Sequence, residues 1–208
     1  MILKFDHIAF SCRRSELTNV LQRFSDYEQV FFEKNVLNIA AKKSLLSDEA
    51  LMDHDIVLLQ SVKTGDVPIE ITAYDVTAGP AKYDVDGQTI IAYTDNVAES
   101  SKFYETIGFK KNGDNLQLKT LLDAVPFNIK LCKTEHYSYM LDGCGFCCIA
   151  LVINNAEKEK KRLDSESFMT TEINELVVNN NMLKIFFAYN QSGDKVEYIQ
   201  INNRKANI

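Results

Sequence analysis

Residues 88–110 read QTIIAYTDNVAESSKFYETIGFK: an apolar run, an acidic break, an amphipathic segment, a glycine and a second apolar start. Ile90, Ile91, Ala92 and Tyr93 form a run too short for a helix and bounded by Asp95 and Asn96, so they read as a buried strand. Asp95 or Asn96 caps a helix whose apolar face carries Val97, Ser100 or Ser101, Phe103, Tyr104 and Ile107. Gly108 supplies the left-handed position that ends this helix, and Phe109 opens the next strand.

The same order recurs on both sides. Upstream, 3–10 (LKFDHIAF) is a strand, Ser15 caps a helix carrying Leu17, Val20, Leu21 and Phe24, and strands follow at 30–33, 36–41, 55–61 and 68–74. A turn is expected at Lys34-Asn35, and 42–54 is polar without clear period. Downstream, a strand at 146–153, a helix from about 155 to 163 and strands near 173–178, 182–189 and 195–201 make a third copy. Corresponding strands align residue by residue: His7-Ile-Ala-Phe with Ile90-Ile-Ala-Tyr and Cys148-Ile-Ala-Leu at the openings, and Val67-Pro-Ile-Glu-Ile with Val125-Pro-Phe-Asn-Ile and Val196-Glu-Tyr at the closings. The chain is therefore α+β, three βαβββ modules, with 75–87 around Gly79-Pro80 as the best linker.

At 208 residues with a net charge of −6, the chain can bury a sizeable core and has no basic surface for nucleic acid; KEKKR at 158–162 reads as the solvated face of a short helix. No apolar stretch reaches membrane-spanning length, and Met1 runs directly into a strand without signal-peptide architecture, so a cytoplasmic protein is expected. Five irregularly spaced cysteines suit reduced thiols; Cys144, Cys147 and Cys148 read as small apolar residues of a buried strand. No phosphate loop or nucleophile elbow is present.

The strand, helix and FY…IGF pattern of 88–110, with FFAYNQSGDKVEYIQI at 186–201, resembles the glyoxalase, bleomycin-resistance and extradiol-dioxygenase (vicinal oxygen chelate) superfamily. The resemblance implies that two modules pair edge to edge to close a cup. Modules two and three (87–203) are expected to form that paired domain, with module one (1–76) unpaired behind a linker at 77–86. It also implies a divalent metal (Fe, Mn, Ni or Zn) in the cup, held by the His or Gln of opening strands and the Glu of closing strands. The corresponding slots hold His7 and Glu70 in module one, Ile90 and Asn128 in module two, and Cys148 and Glu197 in module three. His7 and Glu70 are thus the candidate metal ligands and catalytic groups, completed to a His₂Glu₂ set by a second chain in a homodimer. His54, between Asp53 and Asp55, reads as a capping or surface residue rather than a ligand.

Two functions follow from the resemblance. One is a metal-dependent lyase, epimerase or dioxygenase acting on a small oxygen-rich molecule. The other is a metal-free binding or sequestering protein whose cup is lined by Phe127, Phe186, Tyr189 and Tyr198, with Glu197 at its mouth.

Overall fold

The computed structural model describes residues 1–48, 51–63, 66–75, 83–86, 88–135, 140–166, 168–178 and 181–202. Module one runs β1 (Ile2–Arg13), α1 (Leu17–Arg23), β2 (Tyr27–Leu37), α2 (Ala40–Lys43), β3 (Asp53–Ser61) and β4 (Ile69–Tyr74). Module two runs β5 (Val85–Asp86), β6 (Thr89–Thr94), α3 (Val97–Ile107), β7 (Lys110–Asn112), β8 (Asn115–Leu118) and β9 (Phe127–Lys133). Module three runs β10 (Gly145–Ile153), α4 (Ala156–Ser165), β11 (Met169–Thr170), β12 (Asn174–Val178), β13 (Asn181–Tyr189) and β14 (Lys195–Asn202).

Each module lays its strands in one spatial order: opening strand, closing strand, then the two between them. The opening strand is parallel to the closing one and the rest are antiparallel, so the repeat read in the sequence is a repeat of topology. Local chemistry sets the boundaries. Asn96 accepts a hydrogen bond from the Glu99 N–H at 3.2 Å and starts α3, and Gly108, at φ +129°, ends it by donating to the carbonyls of Tyr104 and Glu105. The turn expected at Lys34-Asn35 is instead a bulge inside β2. Asn35 takes φ +55° there and its N–H donates to Asp55 at 3.0 Å.

The expected partnership of modules two and three is corrected by the strand pairing. β1 pairs antiparallel with β10, joining modules one and three in a nine-stranded sheet, while module two forms a separate five-stranded sheet. Burial explains the choice. β10 is buried along almost its whole length on both faces, and β1 nearly so from Phe5 to Cys12, as befits strands in the middle of a sheet. β6 is buried on alternate residues only, and its free edge is taken by the short β5. Module one therefore has its partner within the chain, and the open edge from which a homodimer was expected is occupied.

The two faces of the large sheet carry different cores. The convex face holds Ile8, Phe10, Ile69, Ile71, Ile149, Leu151, Phe186 and Tyr198, and packs on α1, α4 and module two in one continuous cluster. Phe5 stacks on Phe127 with centroids 4.0 Å apart, and Phe103 of α3 meets Phe168 edge-on at 5.1 Å, so module two closes this side. Burying each such side chain contributes about 1.5–3 kcal/mol. The concave face is covered by the chain's own connection between β2 and β3. Ala41, Leu45 and Leu46 of that stretch pack with Ala9, Ala150, Ile185, Phe187 and Leu141. The cover is tied to module three by a bond from Ala41 N–H to Asn174 (3.2 Å), and to the connection leading into β10 by bonds from Leu141 N–H to the Leu45 carbonyl (2.8 Å) and from Ser47 N–H to Asp142 (2.9 Å). The polar stretch without period is thus a strap across the cup.

Candidate functional site

Side chains directly opposite one another in a sheet share a face, so the registers fix what the cup contains. His7 lies opposite Ala150, and Ala150 opposite Glu197; Ala9 lies opposite Cys148 on one side and Glu70 on the other. His7, Glu70, Cys148 and Glu197 therefore meet on the concave face where modules one and three join. All four are buried.

His7 Nδ1 is 3.1 Å from Asp6 Oδ2, and Nε2 lies 3.5 Å from Glu70 Oε2 and 3.6 Å from Glu197 Oε2. Nε2 is buried and makes no hydrogen bond among the described residues. Burial pushes the imidazolium pKa down, but the charges of Glu70, Asp6 and Glu197 outweigh it and hold His7 well above the ordinary value. Asp6 is held well below the carboxylate range: burial works against this, and His7 and Lys4 overcome it. Lys42, on the four-residue α2, lines a cavity of about 10 Å³ with Glu70, Thr72, Tyr74, Cys148 and Glu197. Burial lowers its ammonium pKa, but Glu70, followed by Tyr74 and Glu197, raises it above the usual lysine range. A cavity of that size has room for about one water.

Around the cluster, Ser11 Oγ donates to the Leu141 carbonyl at 2.5 Å and stands 2.9 Å from Thr72 Oγ1. Cys147 has no residue opposite it, because the register passes from Ala9↔Cys148 to Phe10↔Phe146; this bulge turns it toward the same face as Cys148. A hydrogen bond from Cys148 holds the Cys147 thiol pKa down, and that of Cys148 is pushed up in return.

The remaining candidates lie elsewhere. Phe186 and Tyr198 stack on each other at 5.0 Å on the convex face; they alternate with Phe187 and Glu197, which face the cup. Phe127 borders a separate apolar groove of about 190 Å³ with Phe5, Val67 and Pro68, and Tyr189 a cleft of about 330 Å³ with Lys102 and Phe103 of α3. Of the four aromatic residues expected to line the cup, Phe127, Phe186 and Tyr198 lie elsewhere and Tyr189 also packs against the concave core, while the aromatic residues at the cavity itself are Tyr74 and Phe187. Asn128 lies opposite Thr89, whereas Glu70 and Glu197 lie opposite Ala9 and Ala150, so module two does not keep the slot register of the other two. His54 is buried rather than superficial: its Nδ1 is 2.8 Å from Asn38 Oδ1 and its ring packs 5.4 Å from Tyr74. His136 lies outside the described residues. Lys42, Ser11 and Thr72 leave no signal in the sequence periodicity.

A divalent ion does not fit the cluster as it stands. Among the described residues no three His, Cys, Asp or Glu side chains stand in the arrangement of a metal-ligand set. The space between Glu70 and Glu197 is already shared with Lys42, which lines the same cavity, and with His7 Nε2 at 3.5 and 3.6 Å.

No family model and no curated protein matches the chain. Among solved structures it is similar to methylmalonyl-CoA epimerase from Mycobacterium tuberculosis, at 13% identity over 100% of this chain and 93% of that one (TM-score 0.48). It is also similar to a single-residue variant of methylmalonyl-CoA epimerase from Streptomyces coelicolor, in complex with 2-nitronate-propionyl-CoA, at 10% identity over 96% and 98% of the two chains (TM-score 0.45). A third is a glyoxalase I mutant from Zea mays, at 14% identity over 94% of this chain and 67% of that one (TM-score 0.39). All three are vicinal oxygen chelate proteins. The likeness is weak, and the α+β glyoxalase-type fold rests on the module order and registers. No helix among the described residues is long and apolar enough to cross a membrane.

Proposed function

We propose that the chain is an enzyme of the lyase or epimerase kind that moves a proton on a small oxygen-rich molecule, with the concave face of modules one and three as its active site. The observation that carries this reading is the meeting of Glu70, Glu197 and His7 in one buried cup beneath the strap. Buried polar groups contribute less to folding than apolar residues of the same volume would, and a buried histidine whose pKa is displaced by carboxylate partners is a candidate for a working site. Two carboxylates on either side of one small space are suited to take a proton from a carbon beside a carbonyl and to return it. The strap of residues 39–48 has to lift for such a molecule to enter, since the space beneath it holds about 10 Å³.

The test is proton exchange in D₂O over a panel of small hydroxy- and keto-acids and their thioesters, followed by NMR. Deuterium incorporation by the wild type that falls by about 10²–10⁴ in Glu70→Gln or Glu197→Gln is expected. No incorporation into any member of the panel, by the wild type or by a variant with a loosened strap, overturns the reading.

A second reading, a metal-dependent lyase, epimerase or dioxygenase using Fe, Mn, Ni or Zn, has one observation in its favour. His7 presents a buried Nε2 without a hydrogen bond while Asp6 holds Nδ1, which is how a ligating imidazole is oriented. It requires Lys42 to withdraw. Elemental analysis of protein purified without chelator or histidine tag separates the two: one bound ion per chain supports the second reading and defeats the first.

A further inference from the structure

Lys42 is the one member of the cluster contributed by the strap rather than by the sheet. It reaches the cup from the last turn of α2, which packs by Ala41 against the concave core and is tied to module three through Asn174. With Glu70 and Glu197 it forms the wall of a single cavity of about 10 Å³, and Cys148, Thr72 and Tyr74 complete that wall. The other groups facing the two carboxylates are His7 on β1 and, beyond it, Asp6 paired with Lys4 at 2.9 Å.

We propose that Lys42 is the resident cation of the cup: it occupies the field of Glu70 and Glu197 in which a divalent ion would otherwise sit, and it adapts the site to an anionic oxygen of the substrate. The assignment rests on the reading of the cup as an active site, in which a carbonyl substrate passes through an enolate. In that step one of the two carboxylates takes the proton from the carbon beside the carbonyl. The C–H electron pair becomes the C=C bond, and the carbonyl π pair moves onto oxygen as the negative charge that the ammonium faces. Return of the proton to carbon reverses the movement, so no oxidant or other reactant is needed. The strap then has two duties, since the segment that must open to admit substrate also brings the cation that completes the site on closing.

The test measures binding of Zn²⁺ and Mn²⁺ by equilibrium dialysis and elemental analysis on the full chain and on Lys42→Met, Lys42→Arg and the double variant Lys42→Met/Glu197→Gln. The wild type and Lys42→Arg are expected to retain no stoichiometric ion. Lys42→Met is expected to bind one ion per chain and the double variant to lose it. In the exchange assay Lys42→Met is expected to fall about 10²–10³-fold, the effect of removing one group that stabilises a developing oxyanion. A wild type that binds one ion per chain overturns the proposal. So does a Lys42→Met chain with an unchanged circular dichroism spectrum and melting transition that binds none. If Lys42→Met does not fold, Lys42→Gln replaces it, and the wild-type titration by itself still decides against the proposal if an ion binds. A metal-free wild type without exchange activity, alongside a metal-binding Lys42→Met, defeats the enzymatic reading but leaves Lys42 as the resident cation.

Discussion

Glu197 of the third module stands 3.6 Å from the Nε2 of His7 in the first, although the two come from opposite ends of the chain. The sheet brings them together: His7 faces Ala150 across the seam between β1 and β10, and Ala150 faces Glu197 across the parallel pair of β10 and β14. Glu70 reaches the same nitrogen from module one at 3.5 Å. Because both carboxylates raise the His7 pKa, either Glu→Gln change is expected to bring it down. An NMR titration of the His7 ring checks this; a pKa unmoved by both variants contradicts the geometry of the cluster.

The two buried histidines give the fold opposite responses to pH. His7 has its pKa raised above the ordinary 6.5, so its contribution to stability is complete below that value and is lost as pH rises through the folded pKa. His54 is pushed down from 6.5 to about 2, first by burial and then by Lys42 and Arg14. It stays neutral in the folded chain while the unfolded chain takes up a proton, so stability falls as pH drops below 6.5, by up to about 1.4 kcal/mol per pH unit. Urea melts across pH are expected to flatten on the acid side in His54→Gln and on the alkaline side in His7→Gln. The same slope in variant and wild type on both sides refutes the assignment.

The three modules are legible in the sequence because each repeats strand, helix and turn chemistry locally, and α3 starts at Asn96 and ends at Gly108 as its residues require. Which modules pair is not legible from HIAF, IIAY and CIAL, which look alike; it depends on both-face burial of the whole of β10 against alternate burial of β6. Glu70 and His7 follow from the repeat. Glu197 does not keep the aromatic company expected of it, for residues adjacent in a strand point to opposite faces, and Glu197 and Tyr198 cannot both line the cup. Lys42 lies on a helix of four residues, too short to leave a period.

Phe186 tests the assignment of faces. It is fully buried against Tyr198 on the convex side, so Phe186→Ala is expected to cost about 3–5 kcal/mol in global stability. Phe187, one residue on, packs beneath the strap with Leu141 and Cys148. Phe187→Leu is therefore expected to alter access to the cup at a smaller cost in stability. Denaturant melts and the exchange assay together check the pair; loss of cup function in Phe186→Leu at unchanged stability contradicts the placement.

Asp142 tests the strap. Its buried carboxylate accepts hydrogen bonds from both the N–H and the Oγ of Ser47, and beside it the Leu141 N–H donates to the Leu45 carbonyl at 2.8 Å. These ties and the apolar contacts of Ala41, Leu45 and Leu46 hold the cover down. Replacing Asp142 by Ala removes the charged acceptor of two bonds, one of them from the backbone, a loss of about 1–3 kcal/mol. The loss falls on local opening more than on global unfolding, because the sheet beneath keeps all its strand pairings. Hydrogen exchange of the amides from Ala41 to Ser47 is expected to accelerate about tenfold or more in Asp142→Ala, with the amides of β1 and β10 unchanged. Uniform acceleration across sheet and strap would mean that the cover does not open as a unit, and entry of a substrate beneath it would then need another route.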